Sequence, residues 1–457
     1  MQDRVPLYPG RVTLTPVSGQ NNTYDMVRAD QPTQEGTPLN KSSLLKDATS
    51  ELYGLGADAV PDDVLKMIHG NLAGIEPVGT IKTTVRTDLD DTWLLCNGEA
   101  VNKNDYPALG ELFGSNPSIT QISTNAAGTE GVEIYGDTCV VISVGISDTY
   151  AHVCVSKDGL KTWSEQTIYS SGNMYLKDIA CYNGTWVAVG WDGSGKPYAF
   201  TTTDPTGTWT SVNIVSSTRY LTSIACYNGT WVAVGYYNGS PYMFTTTNPS
   251  GTWSAVTIPS GAHALESIAC YNGTWVAVGS ARSSSNYYPY IYTTTNPAGT
   301  WTGKQIDSTN ATPLRDVFCY NGTWVAVADD NTNFIPCVYV TTDPTGTWTR
   351  NVISDTQAIL YGVTCCNGLW VISGDGNESF PPYTAPVFTT TDPAGVWERK
   401  ALPTYTDLSD GVCCYGASWV IAGGRNYNSN TTIVTDANFY LPEISVDKAY
   451  SYIKAKE

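Results

Sequence analysis

Histidine is nearly absent from this chain, with His69, His152 and His263 the only three. Without imidazoles and without any C-x-x-C pair, a zinc site has almost no supply of ligands, and no metal or other cofactor is expected. Positive charge is also scarce: 24 Lys and Arg stand against 42 Asp and Glu, a net charge of −18. So acidic a chain is a poor partner for nucleic acid or for an anionic membrane. No apolar run reaches 18 residues, and the opening MQDRVPLYPG lacks signal-peptide character, so neither membrane insertion nor general secretion is expected.

What the chain has in quantity is a repeat. CYNGTWVAVG at 181–190 returns at 226–235 and 270–279, then as CYNGTWVAVA at 319–328, CCNGLWVISG at 365–374 and CYGASWVIAG at 414–423. The anchor tryptophans Trp186, Trp231, Trp275, Trp324, Trp370 and Trp419 are 45, 44, 49, 46 and 49 residues apart, and a degenerate copy places Cys139 another 47 upstream. Seven units of this period, each with several short strands, fit the four-stranded blades of a β-propeller. The 14 Trp, 30 Tyr and 42 Gly suit such a β-rich, loop-rich protein. Asn-Gly between two strand-like runs predicts a tight hairpin, because both residues tolerate positive φ.

A second motif lies between the anchors: SKDGLKTW at 156–163, TTDPTGTW at 202–209 and 341–348, TTNPSGTW at 246–253, TTNPAGTW at 294–301 and TTDPAGVW at 390–397. Asp or Asn caps its own turn, Pro fixes φ, and Trp is placed to plug the gap between adjacent sheets. The motif resembles the Asp-box of sialidase-like propellers, with Gly one place later in the Pro-containing copies. Enzymes of that group need three arginines around a carboxylate, a Tyr activated by a Glu, and an acidic proton donor. The repeat region holds only six arginines, Arg219, Arg282, Arg315, Arg350, Arg399 and Arg425, and few glutamates. A glycosidase pair such as Asp329 with Asp375 is not marked by any motif. No catalytic residue is therefore assigned, and the protein is read as a non-enzyme.

Six of the twelve cysteines, Cys181, Cys226, Cys270, Cys319, Cys365 and Cys414, share one column of the repeat. They read as small buried thiols that stay free in a reducing cytosol.

Blade seven lacks its outer strand after TTIVTD at 431–436. Either SITQIS from upstream of the array supplies it and closes the ring, or NFYLPEIS does. The flanks have their own character. PVGTIKTTVRTDLDDTWLLCNGEAVNKNDYPALGELFG, 77–114, resembles the opening of the phage tail-collar domain, and NFYLPEISVDKAYSYIKAKE, 438–457, resembles its end. Residues 1–70 resemble the N-terminal segment of tail-fibre proteins from phages and prophages of Gram-positive bacteria, with short helices expected over 40–52 and 61–68. The expected organisation is an attachment segment at 1–70, a collar-like part at 71–115, an inserted seven-bladed propeller at 116–436, and the collar-like remainder at 437–457. The fold class is mostly β.

Function is expected where the copies differ. The box turns and NGTW turns stay nearly constant, while the links after the second strand vary, as in WDGSGKP, YYNGSP, SARSSSNYYP, DDNTNFIP, DGNESFPPYTAP and GRNYNSN. Loops on a rigid scaffold are where binding resides, and Tyr and Trp with Asn, Ser and Asp suit sugar rings or polar protein surfaces. The candidate ligand-binding residues on this face are Tyr175, Trp191, Asp192, Arg219, Tyr220, Tyr236, Tyr237, Arg282, Tyr287, Tyr288, Arg315, Asp329, Asp330, Asp375, Arg425 and Tyr427. The tail-fibre resemblance implies a homotrimeric virion protein, assembled in the bacterial cytoplasm. It would be held to other tail or baseplate proteins through its N-terminal segment, and it would bind a glycan or protein of the host surface. The alternatives are a structural tail component without receptor contact, or a glycan hydrolase.

Overall fold

In the computed structural model, residues 126–423 are described with short interruptions, together with separate strands in both flanks and the strands Ser118–Gln121 and Thr432–Thr435. Every described element of the repeat region is a strand, and the strands form seven four-stranded antiparallel sheets. In blade 2, for example, Met174–Tyr182, Thr185–Asp192, Pro197–Thr202 and Thr210–Asn213 run in order from the axis outward. The first strands of successive blades lie side by side, and the first strand of blade 7, Leu408–Tyr415, returns to that of blade 1, Ala126–Tyr135. The ring is complete.

Its closure uses the upstream segment. Ser118–Gln121 pairs with Thr432–Thr435, with Ile119 opposite Val434, and supplies the outer strand of blade 7. The N-terminal side of the array is thereby tied to its end, which removes an open sheet edge. The flanks pair with each other as well: Asn438–Tyr440 with Ala100–Asn102, and Tyr450–Lys454 with Ile81–Thr84 in a sheet that includes Trp93–Leu95. Two compact units result, one of 1–94 with 448–457 and one of 95–447. The described elements within 1–70 are four short strands, and the helices expected there lie outside the described residues.

The repeated residues do what their chemistry predicts. Asn183 and Gly184 have φ of 48° and 76°, and the pairs at 228–229, 272–273, 321–322 and 367–368 share this geometry, so each hairpin closes on two left-handed residues. The anchor tryptophans are 2–3% exposed and sit in clusters that span two blades. One such cluster joins Val232 and Val234 of blade 3 to Leu265, Trp275 and Tyr292 of blade 4. In the box turns the indole nitrogens of Trp209, Trp253, Trp301, Trp348 and Trp397 donate to the carbonyl of the Pro four residues earlier, at 3.1–3.2 Å. Trp163 shows why that Pro matters. Its copy has Gly159 in that place, and its indole nitrogen is buried without a partner.

One reading of the cysteines is corrected. Cys414 of the repeat column is bonded to Cys366, with Cα atoms 5.4 Å apart, so blades 6 and 7 are covalently joined. In the other seams a tyrosine occupies the place of Cys366. Tyr182, Tyr227, Tyr271 and Tyr320 each pack in the cluster that holds the next blade's column cysteine. A Cys in place of that Tyr meets the column thiol directly. Cys181, Cys226, Cys270 and Cys319 are free and only half buried.

Candidate functional site

The first strand of each blade carries an irregularity that determines what faces the axis. Leu176 pairs with Gly190 and Asp178 with Val189, so Lys177 is an extra residue in a β-bulge. The same slip makes Thr222, Glu266, Arg315 and Tyr361 the extra residues of blades 3 to 6. Bulges re-aim side chains, and here all five line a cavity on the axis of about 520 Å3, with Glu130 of blade 1. Beside the bulge, blades 2 to 4 have the Gly that ends WVAVG, whereas blade 5 holds Ala328 at the same register. A Cβ at Gly190, Gly235 or Gly279 would collide with the carbonyl of Tyr175, Tyr220 or Ala264. A repeat whose neighbouring positions are constant thus presents a different group from each blade to one central space.

The cavity is rich in carboxyl groups. Asp178 accepts the Ser223 hydroxyl at 2.7 Å and the amides of Ile179 and Ile224 at 2.7 and 2.8 Å. Asp316 accepts the Ser267 hydroxyl at 2.6 Å and the amides of Val317 and Val363 at 2.8 Å. These two carboxyls pin neighbouring blades together around the axis. Burial nevertheless pushes both up to about 6, against the pull of those hydrogen bonds. Burial, with the charge of Asp178, takes Glu133 to about 8. Glu266 rises to about 7 through burial, opposed by Arg315 and by the Tyr236 hydroxyl that donates to it. The Glu266 charge, more than burial, raises Tyr236 to about 12. The two bases are engaged: Lys177 lies 2.7 Å from Glu130, and Arg315 lies 2.6 Å from the fully buried Asp329.

These shifts fix the direction of a pH effect. All four acids hold their proton in the fold at a pH where the unfolded chain has released it, so their contribution to stability is full below about pH 4. It is lost as pH rises through the folded values of about 6, 7 and 8. Opposing groups act elsewhere, since Asp158 and Asp204, hydrogen-bonded in their turns, titrate near 2. The melting temperature is therefore expected to be higher at pH 5 than at pH 8 by calorimetry, and an equal or lower value at pH 5 contradicts this.

On the variable face, four of the residues expected from sequence form a continuous row. Ring centroids are 6.2 Å apart from Tyr175 to Trp191, 4.8 Å from Trp191 to Tyr220, and 5.1 Å from Tyr220 to Tyr237. Trp191 also lines the axial cavity, with the Lys177 ammonium 5.7 Å over its ring, so the row leads into the channel mouth. Tyr236 points into the cavity as well. A second cluster on blade 4 puts Tyr287 5.3 Å from His263 and under Arg282 at 5.7 Å, with Tyr288 half buried nearby in the same strand. Arg219 stacks on Tyr242 at 4.3 Å.

Other expected residues have local duties. Asp192 caps its own turn, accepting the amides of Ser194 and Lys196 at 2.9 Å, and Asp330 accepts the Asn333 amide at 2.9 Å. Asp329 is no exposed loop acid. It ends the strand Thr323–Asp329 at 0% exposure, as the partner of Arg315. Asp375 ends the strand Leu369–Asp375, and Arg425 and Tyr427 lie outside the described residues. Sequence reading missed Glu130, Glu133, Lys177, Asp178, Glu266, Asp316 and Tyr361. The signal that marks three of them is the position four residues before the column cysteine, where Lys177, Thr222, Glu266, Arg315 and Tyr361 differ from blade to blade.

No known protein family matches this sequence, and no curated protein matches it. Solved structures do match in shape. YCF48 bound to a D1 peptide is 14% identical over 70% of this chain and 94% of its own, with a TM-score of 0.50. A GH74 enzyme of Niastella koreensis is 14% identical, covering 71% of this chain and 56% of that one, with a TM-score of 0.51. The sialidase of Trypanosoma rangeli is 11% identical over 70% of this chain and 59% of that one, with a TM-score of 0.43. The shared feature is the propeller. The neighbours include proteins of glycoside-hydrolase and sialidase type, and at these identities the likeness concerns fold alone.

Proposed function

We propose that this propeller is a glycan-binding attachment module, the part of a phage or prophage tail fibre that holds the host surface. The observation that carries the binding role is the row Tyr175–Trp191–Tyr220–Tyr237 running into the carboxyl-lined channel mouth. Flat aromatic plates beside hydrogen-bonding groups suit the apolar faces and hydroxyl edges of sugar rings. The tail-fibre setting rests on the resemblance of 77–114 and 438–457 to a split collar domain. Pairing of Ile81–Thr84 with Tyr450–Lys454 is what an insertion into such a domain requires. In that setting the fibre is a homotrimer anchored through its N-terminal segment, and weak single sites gain strength from multivalency.

A bacterial glycan array probed with the intact chain is expected to show bound glycans, and the protein is expected to adhere to cells that display them. An empty array together with no adherence to any bacterium would sink the reading.

Glycan hydrolysis is favoured by one further observation. Tyr236 donates to Glu266, a buried carboxyl near neutrality, within the electrostatic reach of Arg315. A carboxyl tuned toward neutral pH is suited to proton transfer. New reducing ends released from the bound glycan, and lost in Glu266→Gln, would establish an enzyme, whereas intact glycan after prolonged incubation leaves the binding module.

A further inference from the structure

Beside the aromatic row stands a cation that the protein leaves without a carboxylate. Arg219 directly precedes Tyr220, and its guanidinium lies over the Tyr242 ring, 4.3 Å from the centroid. Tyr220 and Tyr237 of the row act on the Tyr242 hydroxyl through their charge, so the guanidinium stands next to two plates of the row. One of its N–H groups is spent on the Thr218 carbonyl at 2.8 Å. Among the described residues no carboxylate pairs with it, although Lys157, Lys177, Arg315 and Lys400 have Asp204, Glu130, Asp329 and Glu398. Asp192 lies in the adjoining turn, whose Gly195 carbonyl accepts the Arg219 amide, and it turns an oxygen to its own chain at Ser194 and Lys196. A half-buried cation without a counter-ion is costly, and this chain has acids to spare. Stacked flat on a tyrosine, a guanidinium keeps its N–H edge for the oxygens of a carboxylate or phosphate.

We propose that the row takes an acidic glycan, with a carboxylate or phosphate of the bound sugar seated on Arg219. This deepens the glycan reading and rests on it. The sugar ring lies against Tyr220 and Tyr237, and its anionic group reaches the edge of the guanidinium. The net charge of −18 does not forbid this, because at about 0.15 M salt distant charges are screened beyond about 8 Å and the local cation decides. A neutral sugar in the same place leaves Arg219 without a counter-ion and forfeits the charge-assisted bond.

The test sets the full chain on an array of bacterial polysaccharides in three groups, rich in uronic acid, rich in sugar phosphate, and neutral, at about 0.15 M salt. Binding in the acidic groups is expected, and the group that binds tells carboxylate from phosphate. Neutralising a bound polymer, by reducing its carboxyls to alcohols or removing its phosphates, is expected to cost about tenfold in calorimetric affinity, and Arg219→Gln to cost about the same against the charged polymer. Arg219→Gln should then lose little more on the neutralised polymer, because both changes remove one interaction. Arg219→Lys keeps the charge without the planar fork and is expected to recover part of the loss. Lys304→Gln also removes one positive charge, on the outer strand of blade 4, where the equivalent residue of blade 1 is Gln166, and should bind as the unmodified chain does. Unchanged melting temperatures show that the variants remain folded. Binding confined to neutral polysaccharides overturns the inference and leaves the glycan reading standing. Acidic binding that Arg219→Gln does not weaken, or that Lys304→Gln weakens equally, also overturns it, and an empty array removes both proposals.

Discussion

Reduction of the Cys366–Cys414 bond is expected to lower the melting temperature by roughly 8 °C. The bond closes a loop of 48 residues between blades 6 and 7, and a loop of that size restricts the unfolded chain by about 4 kcal/mol. A domain of this length converts each kcal/mol into about 2 °C. The location adds to the effect, because blade 7 is also the blade completed by Ser118–Gln121, and loosening its seam with blade 6 exposes the closure of the whole ring. Cys366→Ser should melt early and show no response to reductant. Cys366→Tyr places in this seam the residue that packs in four others, and should recover part of the loss while remaining insensitive to reductant. A melting curve that does not change with reductant in the unmodified protein contradicts the covalent seam.

Removal of two plates from the aromatic row is expected to cost about a hundredfold in glycan affinity. Trp191 and Tyr220 are the closest pair in the row and stand half buried where it meets the axis. Central, partly enclosed aromatic residues each contribute about 1–2 kcal/mol or more when truncated, so Trp191→Ala with Tyr220→Ala should lose about 3 kcal/mol in all. Tyr287 and Tyr288, which the sequence marks just as strongly, stand apart on blade 4. Their double replacement by alanine is expected to cost only a few-fold. Neither pair belongs to the buried inter-blade clusters, so thermal stability should hold in both double variants.

Much of the frame was legible because its residues act locally. Asn-Gly needs nothing beyond its own backbone to form a hairpin, and Asp, Pro and Trp of the box turn satisfy one another within eight residues. The spacing of seven such units leaves few folds other than a propeller, and the missing fourth strand of the last unit directed attention to SITQIS. The channel was not legible, because its identity depends on register. Lys177 and Glu266 read as ordinary strand residues until a one-residue slip against the neighbouring strand turns them to the axis. Asp329 misled in the opposite sense. It begins a variable link in the sequence, yet the strand runs one residue further and buries it against Arg315. The disulfide was not legible because Cys366 lies outside the repeated cysteine column and its partner Cys414 belongs to the next blade.

The central claim is that ligand is held where the aromatic row enters the axial channel. The most direct measurement is the affinity of two double variants, Trp191→Ala/Tyr220→Ala and Tyr287→Ala/Tyr288→Ala, for one glycan that the intact chain binds, with melting temperatures taken alongside. The claim predicts a loss of about a hundredfold for the first variant and near-full binding for the second, both folded. Full binding by the first, or loss confined to the second, would place the site on the outer loops and contradict it.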